Sequence, residues 1–314
     1  MASKPQTTGG HGQAILQSLL VTLLWASSWV LIKFGLQADL PPLTFAGLRY
    51  TLAFLVLLPF ALANPERRRS LAALPGATWR RLALLGLLLY TLTQGAQFVG
   101  LSLLPAATLT MLLNLTPIVV AVLGIALGGE RTTAGQWGGT LLSMLGAVIY
   151  FFPLDLPQGQ ALGLAVGMLG VLANSAAALL GRRMNRGSRL SPLVITTVSM
   201  GIGGLLLLAV GAATQGFGAL GPRQWAIIGW LAVVNTAFAF TLWNHTLRTL
   251  TAVESSIIAN LMLPQIAVLA WVFLGEALTL RQIVGLALVG VGTLVVQLRR
   301  GRVADDGRRL TTNR

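Results

Sequence analysis

The chain has 314 residues, 55% of them hydrophobic and only 10% charged. Soluble domains carry about 25% charged residues, so a chain with a mean hydropathy of +0.77 cannot clothe a water-facing surface. Twenty-two basic against eight acidic residues give a formal charge of +14, yet no soluble scaffold is left to carry a basic patch, which excludes nucleic acid as a partner. The absence of cysteine excludes disulfide frameworks, thiolate metal sites and cysteine nucleophiles, and two histidines, His11 and His245, cannot build a His-cluster metal centre. No cofactor is implied.

A spanning helix needs about 20 predominantly apolar residues. Ten such windows follow one another: α1 14–35, α2 43–63, α3 79–102, α4 104–127, α5 133–152, α6 160–181, α7 191–213, α8 223–246, α9 251–274 and α10 281–298. The runs exceed strand length and lack alternation, which argues against a β-barrel. Residues 1–13, with Lys4 and His11, do not make a cleavable signal, so α1 is expected to remain as the first span. With the N-terminus inside, 18 of the 22 basic residues fall on cytoplasmic segments, including Arg67–Arg69 and the 299–314 tail. The expectation is an all-α polytopic protein of ten transmembrane helices, N-in/C-in, its basic face against anionic lipid headgroups.

The segment beginning LPAATLTMLLNLTP at Leu104 has a partner in LTAVESSIIANLMLP near the C-terminus. Pro117 pairs with Pro264, Glu130 with Glu276, Gln136 with Gln282 and Gly139 with Gly285. Weaker matches join Trp25–Ser28 to Leu172–Ser175 and Pro42 to Pro192. The chain therefore reads as two repeats, 14–152 and 160–298. Each has five helices, an odd number, so the second enters the membrane inverted. Inverted repeats build secondary transporters whose substrate site lies near the midplane between the halves.

The run LLWASSWVLIKFGLQADLPPLTFAGLRY, followed by the two Pro…Gly-Glu segments, resembles EamA-type permeases of the drug/metabolite transporter superfamily. The resemblance extends over residues 14–298 and rests on Trp25, Pro42, Arg49, Pro117/Glu130 and Pro264/Glu276; Ala26 departs from the Gly often found there. It implies a ten-helix carrier of the bacterial inner membrane that exports amino acids, related metabolites or toxic compounds.

Polar side chains at membrane depth either bridge helices or line a wet cavity. Tyr90, Gln94 and Gln97 form a stripe on α3, and α8 carries Asn235, Trp243, Asn244 and His245. Trp25 and Ser28 on α1, Asn114 on α4, Asn174 on α6 and Asn260 on α9 complete a cavity expected between α1, α3, α4, α6, α8 and α9. Trp25 and Trp243 either wall that cavity or simply pack, whereas Trp79, Trp137 and Trp225 sit at helix ends as interfacial anchors.

Lys33 and Arg49 either snorkel to the outer interface or serve an external gate near Asp39, one of them meeting a substrate carboxylate. Glu254 and His245 are the candidate proton carriers, although proton coupling is not demanded. Glu130 and Glu276 read as structural, each favoured by the free amides of the helix that follows it. Pro117 and Pro264 are expected to kink α4 and α9 as hinges. Small residues at four-residue spacing, Gly135/Gly139/Ser143/Ala147 on α5 and Gly159/Gly163/Gly167 on α6, predict close helix packing, within a monomer or across a homodimer.

The function expected is a secondary carrier that exports small amphipathic metabolites or amino acids by alternating access. A channel-like facilitative permease and a multidrug efflux carrier remain as alternatives. An intramembrane enzyme is disfavoured, because HExxH is absent and no nucleophile motif faces His245.

Overall fold

The computed structural model describes residues 8–116, 119–120, 134–152, 160–187, 190–246, 258–259, 261–292 and 294–295. Every described element is a helix, as hydrocarbon requires of a chain whose backbone must satisfy its own hydrogen bonds. Six are long and apolar enough to cross a membrane among the described residues: α1, α2, α3, α6, α7 and α8. The α5, α9 and α10 windows hold shorter apolar helices, and α4 is described as Ala106–Leu113 followed by a turn.

Helix α1 (Thr8–Gln37) ends in a tight corner where Asp39 takes φ 58° and Leu40 N–H bonds back to the Gly35 carbonyl at 3.3 Å. Proline then occupies the first position of α2 (Pro42–Leu62), where its missing N–H costs nothing. The same device starts α7 (Pro192–Gln215) and α8 (which begins at Pro222). After α2 comes a short surface helix, Pro65–Ala72, capped by the Asn64 side chain. Its Arg67 and Arg68 donate to the Phe60 and Leu62 carbonyls at 3.2 and 2.7 Å, satisfying the end of α2. Two basic residues of this segment therefore finish a helix.

Helix α3 runs Gly76–Leu103, α5 Ala134–Phe151, α6 Gln160–Gly187, α9 Met262–Leu274 and α10 Leu280–Gly292. Their outward faces carry bare apolar side chains such as Leu16, Val148, Leu162 and Trp271, a surface suited to lipid tails. Trp79, Trp137 and Trp225 are exposed at or near helix starts, as interfacial anchors would be.

Inward packing depends on small residues. Gly47 lies against the Leu208 backbone and Gly211 against Leu43–Thr44, which brings α2 and α7 into backbone contact. Gly86 of α3 meets Gly203 of α7 in the same way. On α5, Gly139 and Ser143 face Gly292 of α10, and Gly146 faces Gly285; this small-residue stripe packs within the monomer. On α6, Gly163 and Gly167 receive Leu104, Leu109 and Leu112. Gly159 lies outside the described residues. The α2–α7 and α5–α10 contacts each join helices that hold the same place in the two halves.

A Cβ added at Gly285 would stand 2.8 Å from the Gly146 carbonyl oxygen, whereas one at Gly290 would meet nothing within 4 Å. Gly285→Leu is expected to cost about 1–3 kcal/mol through overpacking, read as a lowered thermal midpoint of the detergent-solubilised protein. Gly290→Ala is expected to leave that midpoint unchanged or raise it.

Candidate functional site

Two helices are widened near their middles. Residues Leu87–Gln94 of α3 and Val233–Phe238 of α8 are π-helical, the latter between Pro222–Ala232 and Ala239–Thr246. In both, a threonine hydroxyl donates to the carbonyl five residues back: Thr93 to Leu88 at 2.7 Å and Thr236 to Leu231 at 2.8 Å. Such segments fit one extra residue into a turn and recur at functional sites. Here they present Tyr90 and Gln94 on one side, Asn235 and Thr236 on the other.

Around them a polar and aromatic cluster closes. The Tyr50 hydroxyl on α2 donates to Gln94 Oε1 at 2.6 Å, and its ring lies 5.5 Å from that of the buried Tyr90. Asn235 Nδ2 donates to the Leu24 carbonyl and to Ser27 and Ser28 Oγ at 3.1 and 3.0 Å, tying α8 to α1. Its Oδ1 is buried with no partner among the described residues. One turn away, Trp25 packs against Phe240 and Trp243, with ring centroids 5.2 and 5.3 Å apart, and its buried Nε1 also has no acceptor among the described residues. Gln265 Oε1 on α9 is a third buried atom in this condition. Buried polar atoms are normally paired; among the described residues these three, with the hydroxyls of Thr51 and Thr197, are not.

Arg49 overturns the snorkelling expectation. It is 5% exposed; Nε donates to Thr236 Oγ1 at 3.1 Å, and the guanidinium carbon lies 5.1 and 6.0 Å from the Tyr50 and Phe98 ring centroids. Lys33 is half-buried. Its Nζ donates to the Leu104 carbonyl at 2.6 Å and lies 3.9 Å from Glu276 Oε1, so its carboxylate partner is Glu276 rather than Asp39. Glu276 in turn accepts from the Ala106 and Ala107 amides at 3.0 and 3.3 Å. It thus caps α4, some 170 residues away in sequence, and not the helix that follows it. That helix, α10, is capped locally by Thr279 and Gln282.

The other predicted site residues are dispersed. Asn174 Nδ2 reaches Thr116 Oγ1 at 3.4 Å and Ser175 the Thr116 carbonyl, bonds that join α6 to α4. Asn114 donates within its own helix to Thr110, and His245 is exposed in the last turn of α8. Pro264 is exposed in the first turn of α9, beside an apolar groove of about 630 Å³ between α9 and α10. Pro117, Glu130, Glu254 and Asn260, and the Asn244 side chain, lie outside the described residues. Tyr50 and Thr236 were not foreseen as site residues; the Arg49–Tyr50 pair, adjacent inside an apolar window, was the available signal.

Glu276→Gln removes a charge-assisted cap and an ion pair together. A loss of about 1–3 kcal/mol is expected, read as a lower thermal midpoint. In the Lys33→Gln background the same change is expected to cost less, a non-additivity that a double-mutant cycle measures.

The EamA-like transporter family model matches residues 12–152 and again 161–298. The uncharacterized transporter YvbV of Bacillus subtilis (strain 168) is 27% identical over 296 residues, covering 91% of this chain and 92% of the relative. An S-adenosylmethionine/S-adenosylhomocysteine transporter of Chlamydia trachomatis serovar L2 is 26% identical, covering 84% and 83%. One crystal structure superposes with a TM-score of 0.64 at 19% identity, over 91% of this chain and 98% of its own, a likeness of fold. A helical membrane chain matched by one family model along both halves belongs to the EamA-like transporter family.

Proposed function

We propose that the protein is a secondary carrier exporting small amphipathic metabolites or amino acids across a bacterial inner membrane, both termini cytoplasmic. It works by alternating access at a midplane site between two inverted five-helix repeats. The observation that carries this reading is the cluster at the widened middles of α3 and α8. Aromatic walls from Trp25, Phe240 and Trp243 stand beside buried polar atoms that have no partner among the described residues.

Repeat symmetry is supported by details that composition alone does not explain. The family model fits twice, and the two π segments share the same threonine bond. The α2–α7 and α5–α10 counterparts pack together. The described backbone turns at Asn114–Leu115 and at Leu261, three residues before Pro117 and Pro264 respectively, which favours these points as paired hinges. Lys33, Glu276 and the α4 amides form a clasp joining α1 and α4 to the α9–α10 hairpin, a place for the outer gate. The Chlamydia relative is named for two amino-acid conjugates, in keeping with a cargo of this chemistry.

Counterflow in proteoliposomes tests the reading. A carrier gives saturable flux accelerated by cargo on the far side, whereas flux linear in concentration and indifferent to it marks a channel and overturns the proposal. Trp25→Ala is expected to raise the half-saturating concentration about tenfold, the scale of one aromatic pair.

A further inference from the structure

Of the cations described within the apolar helices, Arg80, Arg81, Arg223 and Arg281 are exposed, whereas Lys33 and Arg49 are shielded, and the protein treats these two differently. Lys33 is met by Glu276 and by the Leu104 carbonyl. Arg49, more deeply buried, has no ion pair among the described residues. Only three carboxylates are described: Glu276, engaged as above, Asp39, exposed at the α1–α2 corner, and Glu66, on the short surface helix.

The guanidinium is held on its faces and at Nε. The rings of Tyr50 and Phe98 hold the cation. Nε is bound to Thr236, whose hydroxyl is itself fixed by its bond to Leu231. The two terminal amino groups form no hydrogen bond among the described residues. What remains is the end-on fork, two parallel N–H donors whose spacing matches a carboxylate. A charge withdrawn from water with its strongest donors unused is stable only when a counter-charge arrives.

We propose that Arg49 is the anion-binding residue of the transport site and that the cargo carries a carboxylate, which docks end-on against this fork. The proposal rests on the carrier reading and narrows its cargo to carboxylate-bearing solutes. Binding of that group neutralises Arg49, so the loaded carrier has a compensated interior and the empty one does not. Thr236 links the event to the widened turn of α8, because the hydroxyl that orients Arg49 is the one that closes the π segment.

Proteoliposomes loaded with the twenty amino acids and their decarboxylated amines test it, with efflux read by mass spectrometry for the wild type, Arg49→Gln and Arg49→Lys. The wild type is expected to release at least one amino acid and to retain its amine. Arg49→Gln is expected to slow that release by about 10–100-fold, the weight of a charge-assisted contact, and Arg49→Lys to recover part of it. The thermal midpoint of unliganded Arg49→Gln is expected to equal or exceed that of the wild type, because an uncompensated charge is gone. A midpoint several degrees lower, with all solutes slowed alike, would mean a structural arginine and overturn the proposal. Acid and amine leaving at equal rates would overturn the carboxylate assignment while leaving the carrier reading intact. Release of no solute by the wild type would overturn both.

Discussion

Hydrocarbon offers no hydrogen bonds, so each polar group carried into the bilayer must find its partner within the protein or go without. This constraint explains most of the molecule. It makes every described element helical, sends Ser18, Ser28, Thr110 and Ser175 hydroxyls back to carbonyls of their own helices, and draws Arg67 and Arg68 onto the end of α2. Among the described residues the buried atoms left open are those of Trp25, Thr51, Thr197, Asn235 and Gln265.

The packing that supports the cluster follows from the same solvent. Lipid tails are as apolar as leucine, so burying apolar surface between helices gains little and close backbone approach matters more. The glycine contacts of α2 with α7 and of α5 with α10 provide it. Along those seams backbones touch, while α8 meets α1 through the Asn235 side chain and α2 through Arg49 and Thr236. Such seams beside a polar centre suit a protein whose parts rock against each other.

Much of the fold was legible because a span is a local property: twenty apolar residues announce themselves wherever they lie, and helices fall in all ten windows. The repeat expected from Pro117/Pro264 and Glu130/Glu276 is in keeping with the family model's two matches, 12–152 and 161–298. Trp25, Ser28, Tyr90, Gln94 and Trp243 could be picked out as polar or aromatic groups at depth, since depth also follows from position in a span. Their partners could not. Tyr50 meets Gln94 across 44 residues, and Glu276 meets the α4 amides across 170. Arg49 snorkelling or buried was undecidable in sequence, because the outcome turns on Phe98 and Thr236 standing beside it. The π segments were invisible too: they answer to tertiary fit, and leucine-rich sequence such as Leu87–Leu89 favours an ordinary α-helix equally well.

The widened turns also bear on how this chain can change over evolutionary time. A π segment holds one residue more than the α-helix would, so removal of a single codon there could be absorbed by reverting to regular winding. The same deletion in the regular parts of α3 or α8 would turn everything beyond it by about 100°, the angle per residue of a 3.6-residue turn. These two stretches are therefore the places inside spanning helices where length can vary without scrambling the faces. A lineage that shortened one of them would keep its fold and its lipid-facing surface. It would lose the bulge that sets Thr236 against Arg49, or Gln94 against Tyr50, and with it that arrangement of side chains.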